Sequence, residues 1–202
     1  MLNSELIQLL ANSIRDPDKE NYSSSTLASA LQIAKYKLIG LVGKDNIPNL
    51  ISFDMPTVGL TGSGVYGYIT VPSNFDEVLS MQYVGGDRPV PIEIVNIEEL
   101  SRYQYKYSGG DFYEPKAARE SSGNIFLILG IKSGTVLLHY RRKPAVVADN
   151  NESVDIPDYY LPNLIEIAQS VLLSWEEKYE ASELKMRRQI EELKISKQEK
   201  EG

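Results

Sequence analysis

The chain has 202 residues, with 21 basic against 28 acidic side chains and a net charge of -7. This length allows one or two domains and a sizeable core, and 42% hydrophobic with 24% charged residues excludes disorder throughout. The absence of cysteine excludes disulfides, thiolate metal centres and cysteine nucleophiles, the single histidine (His139) nearly closes off Ser–His–Asp chemistry, and the acidity argues against a duplex-binding protein.

Two helices are expected first. Leu2, Leu6, Leu9, Leu10 and Ile14 recur at helical spacing. Asn3 or Ser4 can cap this helix, and Asp16-Pro17-Asp18 stops it, because proline disfavours a helical residue before it. The cluster Ser23-Ser24-Ser25-Thr26 opens a second helix through Leu27, Ala30, Leu31, Ala34, Leu38 and Leu41, with Gly43 as C-cap. From about Ile51 to Ala148 Gly, Pro, Tyr, Val and Ile dominate. Strands are expected at Gly67–Val71, Glu77–Val84, Val90–Ile94, Tyr103–Tyr107, Ile125–Leu129 and Thr135–Arg142, with hairpin turns at Gly85–Arg88 and Ile131–Gly134. Strands do not alternate with helices, so an antiparallel sheet or small sandwich is expected and a doubly wound parallel sheet is not.

After the polar linker Asp149–Glu152 and Ile156-Pro157, one long helix is expected, starting between Asp158 and Asn163. Leu161, Leu164, Ile165, Ala168, Val171, Leu172, Trp175 and Tyr179 form its apolar stripe. Beyond Tyr179 the stripe thins to Met186, Ile190 and Leu193 on a heavily charged rod. That second half reads as too polar for the same core, so it should project, fray or find a partner. The fold class expected is therefore α+β: an N-terminal helical pair (1–44) and a long C-terminal helix with projecting tail (156–202) packing as one bundle, with a β-rich antiparallel middle (51–148). The longest apolar run, Ile125 to Ile131, is far below the roughly 20 residues that span a bilayer, and no signal peptide is visible.

Several motifs invite chemistry. Gly62-Ser63-Gly64-Val65-Tyr66-Gly67 matches G-x-G-x-x-G, which in a dinucleotide site opens a helix. Here Tyr68-Ile69-Thr70-Val71 follows and reads as a strand, so a loop or hairpin is the simpler reading; a nucleotide-binding or hydrolytic enzyme using the Gly62–Gly67 loop is the alternative. Tyr103, Tyr105 and Tyr107 alternate beside Arg102 and Lys106, which suits strand packing, a protein interface or a stacking platform for single-stranded nucleic acid. Arg141-Arg142-Lys143 could join such a nucleic-acid surface by contacting phosphate, but a solvated strand end, or an ion pair with a neighbouring acidic subunit, is the simpler reading. His139 lies in an alternating strand and reads as structural. The paired carboxylates Glu98-Glu99, Glu176-Glu177 and Glu191-Glu192 are adjacent on helices and so do not face each other. No catalytic, cofactor or metal site is expected.

The order of elements resembles a known family. Leu6–Asp16 with its Arg15-Asp16-Pro17-Asp18 turn, then the step from Tyr22 to Ala34, look like the opening of tailed-phage head-to-tail adaptor proteins. These are the connector, head-completion or ring proteins of short-tailed (podovirus or crAss-like) phages. Tyr68–Met81 is similar to the family's aliphatic-Pro-x-x-aromatic step into a strand, Val136–Arg142 with Lys143-Pro144 to its last strand, and Ile156–Pro162 to its C-terminal element. The resemblance implies a non-enzymatic virion protein at the head–tail junction. It would form a ring, usually twelve-fold, on the portal protein, continue the DNA channel without sequence-specific binding, and meet tail or next-ring proteins, with no membrane partner. It also implies contacts for the C-terminal segment with portal or a neighbouring subunit, expected at Trp175, Tyr179, Met186, Arg187, Ile190 and Leu193. Tail-side contacts are expected at Tyr66, Tyr105, Tyr107 and Tyr113.

Overall fold

The computed structural model describes residues 1–86, 88–106 and 114–201. The fold is α+β, as expected, with helices at both ends of the chain and two sheets between them. Two compact units divide the chain: Met1–Leu50 together with Pro144–Gly202, and Ile51–Lys143.

The first unit is helical. Helix α1 (Asn3–Ser13) buries Leu6, Ile7, Leu10 and Ala11, and α2 (Ser24–Val42) buries Leu27, Ala30, Leu31, Ala34 and Leu38. The Ser23 hydroxyl accepts the Thr26 N–H at 3.2 Å, and Gly43 ends α2 at φ +87°, both where the sequence placed the caps. Between α1 and α2 the buried Asp16 carboxylate accepts the backbone N–H groups of Glu20, Asn21 and Tyr22, so it organises the turn that Pro17 begins. Helix α4 (Leu161–Trp175) packs on α2 through Leu164, Ile165, Ala168, Val171 and Leu172. Each of the Leu, Ile and Val side chains taken from water contributes about 1.5–3 kcal/mol.

The expected single C-terminal helix is two helices. Helix α4 stops at Trp175, and α5 (Tyr179–Glu201) runs back along it. Ser182 donates to the Ser170 carbonyl at 2.8 Å, Lys185 to Gln169, and Asn163 to Gln189 at 3.0 Å, an antiparallel register. The polar half of the segment therefore docks as far as Leu193, which is buried, and the expected projection is overturned for this stretch. Side-chain hydrogen bonds supply the attachment that a thin apolar stripe could not. The turn itself closes with the Lys178 N–H on the Leu173 carbonyl and the Glu177 N–H on that of Ser174. This is the Schellman pattern, and its left-handed position, ordinarily glycine, is Glu177 at φ +62°. Arg15 at φ +62° plays the same part at the end of α1.

Inside the helical bundle sits one charged pair. Lys35 of α2 meets Asp155 Oδ1 at 2.5 Å, with both side chains almost fully buried. Lys35 also donates to the Ala145 carbonyl, and Asp155 accepts the Ala145 N–H at 2.7 Å. One turn earlier on α2, the Gln32 side-chain oxygen accepts the Val147 N–H at 2.7 Å.

The second unit is β-rich. Strands β1 (Ile51–Asp54), β9 (Val136–Arg142), β4 (Phe75–Tyr83) and β5 (Val90–Pro91) form one antiparallel sheet in that order. Strands β2 (Gly59–Leu60), β3 (Gly67–Thr70), β8 (Ile125–Leu129), β7 (Lys116–Arg119) and β6 (Glu93–Ile94) form the other, antiparallel except for β6 with β7. Phe75 stacks on Tyr140 and meets Phe126 edge-on, so the two sheets share a core with Ile69, Met81, Ile128, Val136 and Leu138. The segment 131–134 crosses between sheets instead of making the expected hairpin, because β8 and β9 belong to different sheets.

The expected strand Tyr103–Tyr107 is corrected to helix α3 (Ile97–Lys106), with Tyr107 outside the described residues. The Asn96 side chain accepts the Glu99 N–H at 2.7 Å, and Leu100 and Tyr103 repeat at helical spacing toward Ala118 and Leu129. The alternation of tyrosines was the weaker periodicity.

Two outcomes follow from these contacts. Asp155→Asn strands the buried Lys35 charge and should lower stability by about 3–5 kcal/mol in urea denaturation, while the double variant Lys35→Met, Asp155→Asn should recover most of the loss. A methyl on Gly67 would lie 2.2 Å from the Ile131 carbonyl oxygen and 2.6 Å from Val58 Cγ1. Gly67→Ala should therefore cost about 1–3 kcal/mol by the same measurement.

Candidate interaction surfaces

The Gly62–Gly67 motif is a hairpin connection between β2 and β3. The Thr61 N–H meets the Tyr66 carbonyl at 3.0 Å, Gly64 turns at φ +66°, and strand β3 follows. No helix N-terminus is presented, so the phosphate-cradle reading is corrected. Gly67 is there because β3 passes close to Ile131. Arg141 is buried and pairs with Glu77 at 2.5 Å, so it is not a cation offered to phosphate. With the tyrosine strand replaced by α3, the alternative reading of a nucleic-acid surface loses the strand it was built on. His139 faces Phe53 edge-on at 6.4 Å, in an aromatic contact between β9 and β1. Among the described residues no three His, Asp or Glu side chains converge as a metal site, and no helix is long and apolar enough to cross a membrane.

Of the C-terminal candidates, Trp175 and Tyr179 flank the α4–α5 turn at 45% and 66% exposure. Arg187 is exposed and pairs with Glu183 at 2.6 Å. Met186 packs on the bundle core, Ile190 is half-buried and Leu193 is buried, so these three are wholly or partly committed within the unit. Leu184, which sequence periodicity passed over, is 73% exposed on α5. Beside this corner a cleft of about 330 Å³ is lined by Ile14, Tyr22, Gln169, Leu172, Leu173, Glu176 and Lys178, among others. Tyr22 donates to Glu176, and Lys178 pairs with Glu176 at 2.6 Å, which closes the corner electrostatically.

Of the tail-side candidates, Tyr66 is half-buried and donates to Gln104 at 2.5 Å, in a small cluster with Leu100, Ala118 and Leu129. Tyr105 lies on α3, and its side chain is outside the described residues, as are Tyr107 and Tyr113. The surface that sequence reasoning missed is strand β1. It is the edge of its sheet, and Ile51, Phe53 and Met55 are 51%, 71% and 55% exposed. An exposed apolar edge is a pairing or contact site unless it is covered. Its signal was the alternation Ile51-Ser52-Phe53 before Pro56, too short to register as a strand.

One titrating pair stands out on the second sheet. Lys116 of β7 donates to Glu93 opposite it on β6 and lies 4.4 Å from the Tyr103 ring centre. The hydrogen bond to Glu93 raises the Lys116 pKa above its ordinary 10.5, against a smaller opposing effect of burial.

The described residues form an α+β chain with a solvent-facing apolar surface on each of its two units. The family model for SU10 adaptor protein matches residues 4–201, and the chain belongs to that family of phage structural adaptor proteins, components of the virion. No curated protein matches the chain.

A raised lysine pKa stabilises the fold at every pH below the unfolded value and loses that contribution as pH climbs through the folded one. Stability from the Glu93–Lys116 pair should thus be flat from neutral pH to about 10 and decline above it. Glu93→Gln should return Lys116 toward 10.5 in an NMR titration of the lysine side chains.

Proposed function

We propose that the protein is the adaptor ring that joins the portal vertex of the capsid to the tail and continues the DNA channel. Its order is twelve-fold in this reading, and the phage is short-tailed. The observation that carries the proposal is the pair of separate exposed apolar surfaces, one on each unit, in a chain of the adaptor family. A joint needs two faces. The Trp175–Tyr179 corner, with Arg187 beside it on α5, supplies the portal or neighbour contact. Large rigid aromatics with partial exposure, next to a charged rim, are the composition of an interface centre. The β1 edge with Phe53, together with the side of the β unit that carries Tyr66, supplies the tail-side contact.

The net charge of -7 supports the channel role. A net acidic subunit disfavours phosphate contacts, and with them the counterion release that would hold passing DNA. The chemistry is association, and no catalytic step is needed.

The test is native mass spectrometry of the full chain mixed with the portal ring of the same phage, with the chain alone as control. One copy per portal subunit is the expected complex. Trp175→Ala with Tyr179→Ala should weaken it at least tenfold, at a stability cost below about 0.5 kcal/mol because both are exposed. Phe53→Ser should leave the portal complex intact and weaken attachment of the tail. Failure of the folded wild-type chain to bind the portal would overturn the reading.

A further inference from the structure

The turn between α4 and α5 is unlike the turn after α1. After Arg15 the chain meets Pro17, which prevents the helix from continuing. The α4–α5 turn is Glu176-Glu177-Lys178, with neither glycine nor proline. All three are good helix formers, yet Glu177 is held in the left-handed region. Local propensity favours one continuous helix and tertiary packing enforces a hairpin.

The apolar seam carries the same conflict. Leu172, Trp175, Tyr179, Ser182, Met186 and Gln189 follow one another at intervals of three and four residues, a 3.5-residue period that runs straight through the turn. In the hairpin the members on either side are directed inward, Leu172 at 3% and Gln189 at 1% exposure, while Trp175 and Tyr179 are left out at 45% and 66%. A continuous helix would return both aromatics to the seam and release Glu177.

What α5 can then dock on is fixed by its buried polar group. Gln189 bonds Asn163 at 3.0 Å and Glu166 at 2.5 Å, and Ser182 reaches the Ser170 carbonyl. Gln189 would keep its bond to Glu192 of the same helix at 2.9 Å, but a generic apolar groove would leave its buried side-chain oxygen unsatisfied and is selected against. The seat that satisfies it is the α4 face of this same sequence. We infer that α5 is an exchangeable arm: the chain straightens at Glu176–Lys178, and α5 of one copy occupies the α4 face of a second copy with the contacts it now makes within its own chain. Exchange keeps the α4–α5 contacts, because the same pairs form between chains, and gives up the turn hydrogen bonds of Glu177 and Lys178; a short strained hinge is the ordinary route to it. The inference needs no portal and stands apart from the adaptor reading.

The chain has no cysteine, so engineered thiols report without background. Gln169 and Lys185 touch across the α4–α5 interface. Full-length Gln169→Cys and full-length Lys185→Cys are mixed at high concentration, incubated, and treated with a short bis-maleimide; the double variant serves as the control for folding, because it links within one chain. Peptide mapping should find the 169–185 link between chains. Adding Glu177→Gly, which removes the left-handed strain from the hairpin, should lower the yield of that link about tenfold. If the double variant links internally and the mixture gives no 169–185 link between chains, exchange is overturned. A link between chains that Glu177→Gly leaves unchanged would also overturn it, since release would not pass through this turn.

Discussion

The helical unit depends on the Lys35–Asp155 pair. The chain leaves this unit after Leu50 and comes back at Pro144, so nearly half its length intervenes before the bundle can be completed. The returning segment has no helix or strand of its own until Asp158. Its backbone must be satisfied by something: Lys35 and Gln32 of α2 take the Ala145 carbonyl and the Val147 N–H, Asp155 takes the Ala145 N–H while neutralising Lys35, and the backbone of Met1, Asn3 and Ser4 takes groups of residues 150, 152 and 154. A hydrophobic pair could fill the same volume, but it could not fix which carbonyl and which N–H sit there. The pair therefore sets the register in which the chain re-enters the bundle, and Ile156, Tyr160 and Leu164 reach the core from that point. Within the β unit, β1 and β9 lie side by side, Ile51 opposite Arg141, so that unit begins and ends on neighbouring strands.

Much of this was legible in the sequence where one force dominated. The Ser23 cap, Gly43, the stripe of α4 and strand β8 each had a local signal that agreed with the tertiary outcome. The failures are all places where a remote partner decided. Residues 103–106 alternate like a strand, but the Asn96 cap and the contact of Leu100 with Ala118 and Leu129 make them helical. Strands β2, β5 and β6 have two residues each, and a two-residue pairing has no period to read. Arg141 looked like an offered cation because Glu77, its partner, is 64 positions away in sequence.

The turn after Trp175 is the most informative of these failures. The usual mark of a helix C-terminus is a glycine that takes the left-handed position at no cost. Here both Schellman turns of the bundle give that position to a charged residue, Arg15 and Glu177. At Arg15 the following proline still announces the break. At Glu177 nothing does, and the sequence continues in good helix formers with its seam in phase. The hairpin thus exists only because Gln189, Lys185, Ser182 and Leu193 find α4 behind them. Periodicity counts apolar residues, so a helix that docks through amides and hydroxyls is read as a solvated rod.

That mode of docking has a consequence for a protein whose work is association. An arm held by apolar burial would be held permanently, and one held by nothing would be degraded or would aggregate. Hydrogen bonds between α4 and α5 contribute modestly each, about 0.5–1.5 kcal/mol, but demand specific partners. They give an attachment that is selective without being irreversible. The exposed aromatics beside the turn belong to the same logic: Trp175 and Tyr179 are left uncovered by the hairpin, so the closed chain already displays the surface whose burial would favour a change of partner. Among its described residues the β unit holds no residue other than glycine at positive φ. Its exposed Phe53 stands on a regular edge strand paired with β9 and braced by the ring contact to His139. The exposed surface of the β unit therefore rests on a regular paired strand, and that of the helical unit is built on an element whose local and tertiary preferences disagree.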